Sequence, residues 1–197
     1  MRSTKKVLWA FLFLLLIITT PLFAYGDKEA PPRSYAISSP NNKFIFVMIA
    51  PNAFELVSFY SDETKQEAKR VREKYSKSGM YLNDGSTTPL WTVDWYSRSV
   101  LIASDGVHLI RRGPWALKSS NEAFTFFANG KAVRSYKIRD LVKSIKDLHH
   151  TVSHFSWEAP DSMKLDEDKH TLSVSTLNNE HYIFDYRTGK RLSKTIN

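Results

Sequence analysis

Cysteine is absent from the 197-residue chain. That excludes disulfide-stapled scaffolds and thiolate metal sites, so any fold must be held by packing. It also excludes a lipid anchor attached to a cysteine. Glycine is scarce, at seven residues, and no glycine-rich loop of the phosphate-cradling kind occurs. No serine sits in a Gly-x-Ser-x-Gly elbow, and none has a histidine and an acid in a recognised nucleophile context. Acids are missing from the first 26 positions, where Arg2, Lys5 and Lys6 precede an apolar run from Val7 to Ile18.

Thr19, Thr20, Pro21 and the small residues Ala24 and Gly26 close that run. A positive head, a short apolar helix and a small-residue exit predict a secretory signal peptide over residues 1–26. The alternative is an uncleaved anchor, because Val7 to Ala24 is 18 residues, the lower edge of a bilayer span. Pro21 and the two threonines shorten the apolar part and favour cleavage. The expected location is secreted or periplasmic, with membrane contact only through this segment if it is retained. Loss of its three cations takes the net charge from +8 to +5. That modest excess favours weak attraction to anionic envelope polymers or lipid headgroups. Together with export, it argues against nucleic acid as a partner.

Asp27 to Arg33, with Pro31 and Pro32, reads as an extended leader over residues 27–33. A single mostly-β domain is expected over 34–197. Ser34–Ser39 and Lys43–Ile49 read as strands around the turn Ser39-Pro40-Asn41-Asn42. The run Phe44 to Ile49 is apolar on both faces, which places it inside a sheet. One surface helix is predicted at 61–75. Ser61 caps it, Asp62 and Glu63 sit in its first turn, and Thr64, Ala68, Val71 and Tyr75 form a thin apolar stripe. Its remaining charges read as a solvated face, and Gly79 is placed as its terminator.

Beyond Gly79, turn signals recur at Asn83-Asp84-Gly85, Asp105-Gly106, Asn129-Gly130, Asn178-Asn179 and Thr188-Gly189. Short aromatic and β-branched runs lie between them: Leu90–Tyr96, Val100–Ala103, His108–Arg111, Ala123–Ala128, Ala132–Ile138, Val152–Trp157, Thr171–Leu177 and His181–Tyr186. Strands this short imply antiparallel hairpins. Asn129-Gly130 fits a type I′ turn, with both residues at positive φ. Arg139–Lys146 is expected to form one helical turn joining two sheets, with Leu141, Val142 and Ile145 facing inward.

A polar turn followed by a strand occurs three times, entered at Lys43, Val107 and Lys169, 64 and 62 residues apart. Such spacing suggests repeated sheet units. Ser39 to Val47 and Ser104 to Leu109 resemble the turn and inner strand of β-propeller blades. Tyr182 to Lys190 resembles the outer strand and turn of quinoprotein-type and tryptophan–aspartate-type blades. The resemblance implies blade-like antiparallel sheets in a mainly β fold, with a β-sandwich as the alternative. The repeat exceeds an ordinary blade, and the chain is too short for a ring of many such units, so a closed propeller is not implied. Nothing points to a bound quinone or any other cofactor.

The richest candidate segment is Asp84 to Tyr96. If extended, it sets Trp91, Val93 and Trp95 on one face and Asp94 on the other. The tryptophans either stack on a ligand or belong to the core. Asp94 is either at a surface or held by buried donors, because an unpaired buried carboxylate is costly. Arg111-Arg112-Gly113-Pro114-Trp115 follows a strand directly. Its arginines either clamp an anion or form internal ion pairs with Asp94, Asp105 or Glu122. His149, His150 and His154 have no nearby carboxylate that completes a zinc pattern and read as structural, His154 packing beside Phe155 and Trp157. The binding candidates are therefore Trp91, Asp94, Trp95, Arg111, Arg112 and Trp115, with no catalytic or metal site assigned. The sequence points to a non-catalytic envelope binding module for an unknown protein or glycan. A hydrolase whose acids converge in space, starting with Asp94 and Asp105, is the alternative.

Overall fold

A computed structural model describes residues 29–52, 59–146 and 148–196. The expected signal segment lies outside the described residues. Among the described residues, twelve strands form three four-stranded sheets, each a meander in chain order. Sheet 1 holds β1 (Tyr35–Ser38), β2 (Phe44–Met48), β3 (Gly79–Leu82) and β4 (Trp91–Thr92). Sheet 2 holds β5 (Val100–Ile102), β6 (His108–Arg112), β7 (Glu122–Ala128) and β8 (Lys131–Lys137). Sheet 3 holds β9 (Lys164–Asp166), β10 (Thr171–Ser175), β11 (Glu180–Asp185) and β12 (Arg191–Ile196). All pairings are antiparallel. The architecture is mainly β and blade-like, with three sheets rather than the two of a sandwich.

The burial pattern of each strand records its layer. Sheet 2 lies in the middle. Leu109 and Phe127 face sheet 1, packing with Phe46, Met48 and Met80. Ile110, Phe124 and Phe126 face sheet 3, packing with Leu172, Val174, Tyr182 and Phe184. Two apolar faces remove the alternation, so Ala123 to Phe127 are all buried. Sheet 3 ends the stack. In β10 and β11, buried and half-buried residues alternate strictly, and the outward set is Thr171, Ser173, Ser175, His181, Ile183 and Asp185. A polar outer face lets a stack of repeats stop without sticking to another.

Sheet 1 is closed differently. Its outer face carries Val47 and Tyr81, covered by Val71 and Tyr75 of α1 (Asp62–Lys74) and its C-terminal flank. This is why β2 is apolar on both sides. Ser61 caps α1, its side chain accepting from Thr64 N–H, and Ala68 and Val71 form the buried stripe. The helix ends at Lys74 with Tyr75 extended, so the expected terminator Gly79 instead opens β3. A Cβ there would fall 2.2 Å from the Trp91 carbonyl oxygen, which is how closely β4 approaches.

The three first turns are equivalent. Asn42, Gly106 and His170 all have positive φ, and 64 residues separate each from the next. The third unit is thus entered after His170, not at Lys169. The turns also bond in series. Asn41 donates through its backbone N–H and Nδ2 to Oγ and O of Ser104, and Ser104 N–H donates to Glu167 Oε1. The chain repeat therefore becomes a row of turns along one edge of the stack. Asn129 and Gly130 take φ of 49° and 76°, as a type I′ turn needs.

Two expected strands are shorter or missing. Leu90–Tyr96 pairs only at Trp91–Thr92, then leaves the sheet after Val93 N–H reaches Ser78 O. Val152–Trp157 is not a strand. Thr151 Oγ1 accepts from the backbone N–H groups of Ser153 and His154 and folds the segment into a tight turn, leaving isolated bridges at Phe155. The expected helical turn after β8 is a 3-10 turn at Ile138–Asp140, followed by buried Leu141 and Val142.

Candidate functional site

β6 ends at Arg112, and Gly113-Pro114 turns the chain away from sheet 2. Residues 29–33 return against the same corner. Arg98 donates to Glu29 Oε1 at 2.8 Å and to Pro31 O at 3.3 Å, and Tyr60 OH donates to Pro31 O. Arg33 N–H donates to the Tyr96 hydroxyl at 2.8 Å. The leader thus forms one wall of a cleft of about 390 Å3. Tyr96, Arg98, Arg111, Arg112, Trp115 and Glu122 form much of its lining. A neighbouring hollow of about 320 Å3 shares Arg112, Pro114 and Trp115, and adds His154, Trp157 and Glu158.

Each guanidinium in the cleft is held by a carboxylate. Arg111 binds Glu122 through two parallel bonds, Nε to Oε1 at 3.0 Å and Nη2 to Oε2 at 2.7 Å. The same guanidinium lies 4.9 Å from the Trp95 ring centre and 5.2 Å from that of Phe127. Arg112 Nη2 donates to Glu158 Oε1 at 2.5 Å, while its Nε approaches Met163 Sδ at 3.5 Å. Such pairs fix the planes of the guanidinium groups and present their remaining donors in set directions. Burial pushes the Glu158 carboxyl above its ordinary value, and the Arg112 charge opposes that shift. Burial also raises the Tyr96 phenol above 10.0, so it stays a hydroxyl at neutral pH.

Trp115 is half-buried, and its ring stacks on His154 with centres 3.9 Å apart and planes 26° apart. His154 Nδ1 lies 2.9 Å from Thr151 Oγ1. The expected neighbours of His154 were Phe155 and Trp157; its ring contact is Trp115. His150 Nε2 is turned to Ile145 O at 2.6 Å.

The six sequence candidates therefore divide. Arg111, Arg112 and Trp115 line the cleft. Trp91 and Trp95 lie in the interface of sheets 1 and 2, against Phe46. Trp91 Nε1 donates to Gly106 O at 2.8 Å, which fastens β4 to the β5–β6 turn. Trp95 Nε1 is buried and has no hydrogen-bond partner among the described residues. Asp94 is exposed and outside the cleft lining. Asp105 is used by its own turn, accepting from Val107 N–H and His108 N–H and facing His108 Nδ1 at 2.6 Å. Burial would raise its pKa, but these bonds outweigh that and hold the carboxyl below 3.8. Neither acid of the hydrolase alternative lines the cleft.

Of the ion-pair partners expected for the two arginines, Glu122 is found. Glu158 was not anticipated. It lies 46 residues beyond Arg112, and no local pattern announces a pair that is closed by a loop. Tyr96 and Arg98 were also missed, since their role depends on the returning leader. No protein-family model and no curated protein sequence matches this chain.

Proposed function

We propose that the protein is an exported, non-catalytic binding module of the cell envelope, and that the cleft between the leader and the end of β6 takes its ligand. The finer kinship suggested by the sequence, to quinoprotein-type and tryptophan–aspartate-type blades, belongs to the same proposal. The observation that carries it is the pairing of the cleft's charges. Arg98, Arg111 and Arg112 are each neutralised by one acid, beside the rings of Tyr96 and Trp115. Acids locked to guanidinium groups are poorly placed to shuttle protons. Fixed planar donors beside aromatic rings suit recognition of a peptide or sugar.

A second reading, a hydrolase, draws on Glu158, whose raised pKa suits a general acid. One assay separates the two. Purified protein is titrated with peptide and oligosaccharide panels, read by tryptophan fluorescence and calorimetry. It is also incubated with ester, peptide and glycoside substrates. We expect saturable binding that Trp115→Ala weakens by roughly tenfold or more, in line with the loss of an aromatic anchor, and no turnover. Turnover abolished by Glu158→Gln would establish the hydrolase instead. Binding untouched by Trp115→Ala would remove the cleft from the account.

A further inference from the structure

The outermost strands of sheets 2 and 3, β8 and β12, face each other across an open groove of about 470 Å3, lined by Arg134, Tyr136, Asp140, Lys190 and Arg191. It is separate from the cleft described above and shares no residue with it. Register explains its chemistry. Arg134 and Tyr136 pair with Phe126 and Phe124, which point toward sheet 3. Arg191 pairs with Phe184, which points toward sheet 2. The irregularity between Phe126 and Phe127 brings Lys131 opposite Ala128, and so onto the Phe126 side with Arg134. Beneath the cations β8 meets the turn before β12. Tyr136 OH donates to Gly189 O at 2.8 Å, and a Cβ on Gly189 would fall 2.6 Å from Arg134 Cβ.

Unlike those of the cleft, the cations here have no acid partner among the described residues, and Arg191 lies 5.9 Å from the centre of the Tyr182 ring. No ion pair among the described residues engages Lys131, Arg134, Lys190 or Arg191. The groove's one carboxylate, Asp140, is turned to its own 3-10 turn and accepts from Lys137 N–H at 2.8 Å. Nearby Lys194 is spent on Glu180 at 2.7 Å. Three cations and one carboxylate leave the groove net positive, and an anion relieves the repulsion among the cations. The groove lies along two edge strands, with Lys131 extending the positive track on β8.

We propose that this groove binds a linear acidic polysaccharide, its carboxylates meeting Arg134, Lys190 and Arg191 beside the half-buried Tyr136. The concave form favours a single chain over a bilayer, which needs a surface that presents its cations outward in a plane.

The test uses the purified protein with polygalacturonate as probe, uncharged dextran as control, and vesicles of phosphatidylglycerol and phosphatidylcholine as the competing surface. Polygalacturonate is expected to bind with an affinity that falls as salt rises, and dextran not to bind. Arg134→Glu with Arg191→Glu should weaken binding by about a hundredfold, and Arg134→Gln with Arg191→Gln, which remove the charge and keep part of each stem, by about tenfold. Circular dichroism confirms that each variant is folded. Lys43→Glu with Lys118→Glu, the same charge change at exposed sites elsewhere, should leave binding within about twofold. Equal weakening by that control would mean non-specific attraction and overturn the proposal. So would vesicle binding without polygalacturonate binding, or groove variants that bind like the parent.

Discussion

Phe184→Ala should lower the free energy of unfolding by about 3–5 kcal/mol, the range for an aromatic ring removed from a packed core. Phe184 is fully buried and touches rings from both sheets it joins. Its centre lies 5.3 Å from Phe124, 5.9 Å from Phe126 and 4.8 Å from Tyr136, all on sheet 2. Tyr182, beside it on sheet 3, is 6.1 Å away. No disulfide exists to hold the layers if this contact is lost. Urea unfolding should show a lower midpoint with unchanged slope. Phe184→Leu, which keeps most of the volume, should cost roughly 1.5 kcal/mol or less. A loss below about 1 kcal/mol for the alanine variant would mean that sheets 2 and 3 do not share this core.

Lys194→Met is expected to cost about 3 kcal/mol, because it strands a buried carboxylate. Glu180 is 5% exposed and sits on the inward side of β11, with Tyr182 and Phe184. Its charge is met by Lys194 Nζ at 2.7 Å. The Tyr182 hydroxyl lies 3.0 Å from Glu180 Oε2 and 2.6 Å from Leu141 O, with one proton to give. Methionine keeps the packing of the lysine stem and removes the cation. The pair Glu180→Gln with Lys194→Met should recover much of the loss, since it removes the orphaned charge as well. Both variants are read by denaturant unfolding at neutral pH. A double variant no better than Lys194→Met would show that the cost lies in packing and not in charge.

The sequence was most informative where a strand's neighbours shape its residues. The doubly apolar run Phe44 to Ile49 became β2, covered by α1 on one side and sheet 2 on the other. Asn129-Gly130 closed its hairpin because only a few residue types adopt positive φ cheaply. The repeat was legible through its turns, whose polar residues recur at fixed spacing. Three strands were not read at all. β12 is exposed along its whole length, so nothing imposes a period on Arg191 to Ile196. β9 has only three residues, and β3 begins at a glycine that also fits a helix stop.

The site was half legible for a related reason. Arg111, Arg112 and Trp115 are adjacent in sequence, so a strand end followed by Gly-Pro identified them together. Trp91 and Trp95 carry the same residue type but pack into the sheet 1–sheet 2 interface, and composition does not separate a core ring from a cleft ring. Arg98 reaches the cleft, and Glu158 and His154 the hollow beside it, through loops. Nothing in the one-dimensional pattern specifies where a loop returns.

Three consecutive meanders stack so that their first turns form one row. A cysteine-free chain makes that directly measurable. In the double variant Asn41→Cys with Ser104→Cys, the two thiols replace side chains that each now bond the other residue's backbone, at 2.8 and 3.3 Å across 63 residues. A short thiol-bridging reagent, followed by proteolysis and mass spectrometry, should yield one intramolecular link between these positions in nearly all of the protein. A control pair at Asn41 and Leu192, on turn and outer edge, should yield none. Free thiols at 41 and 104 after treatment of folded protein would contradict the stacked arrangement.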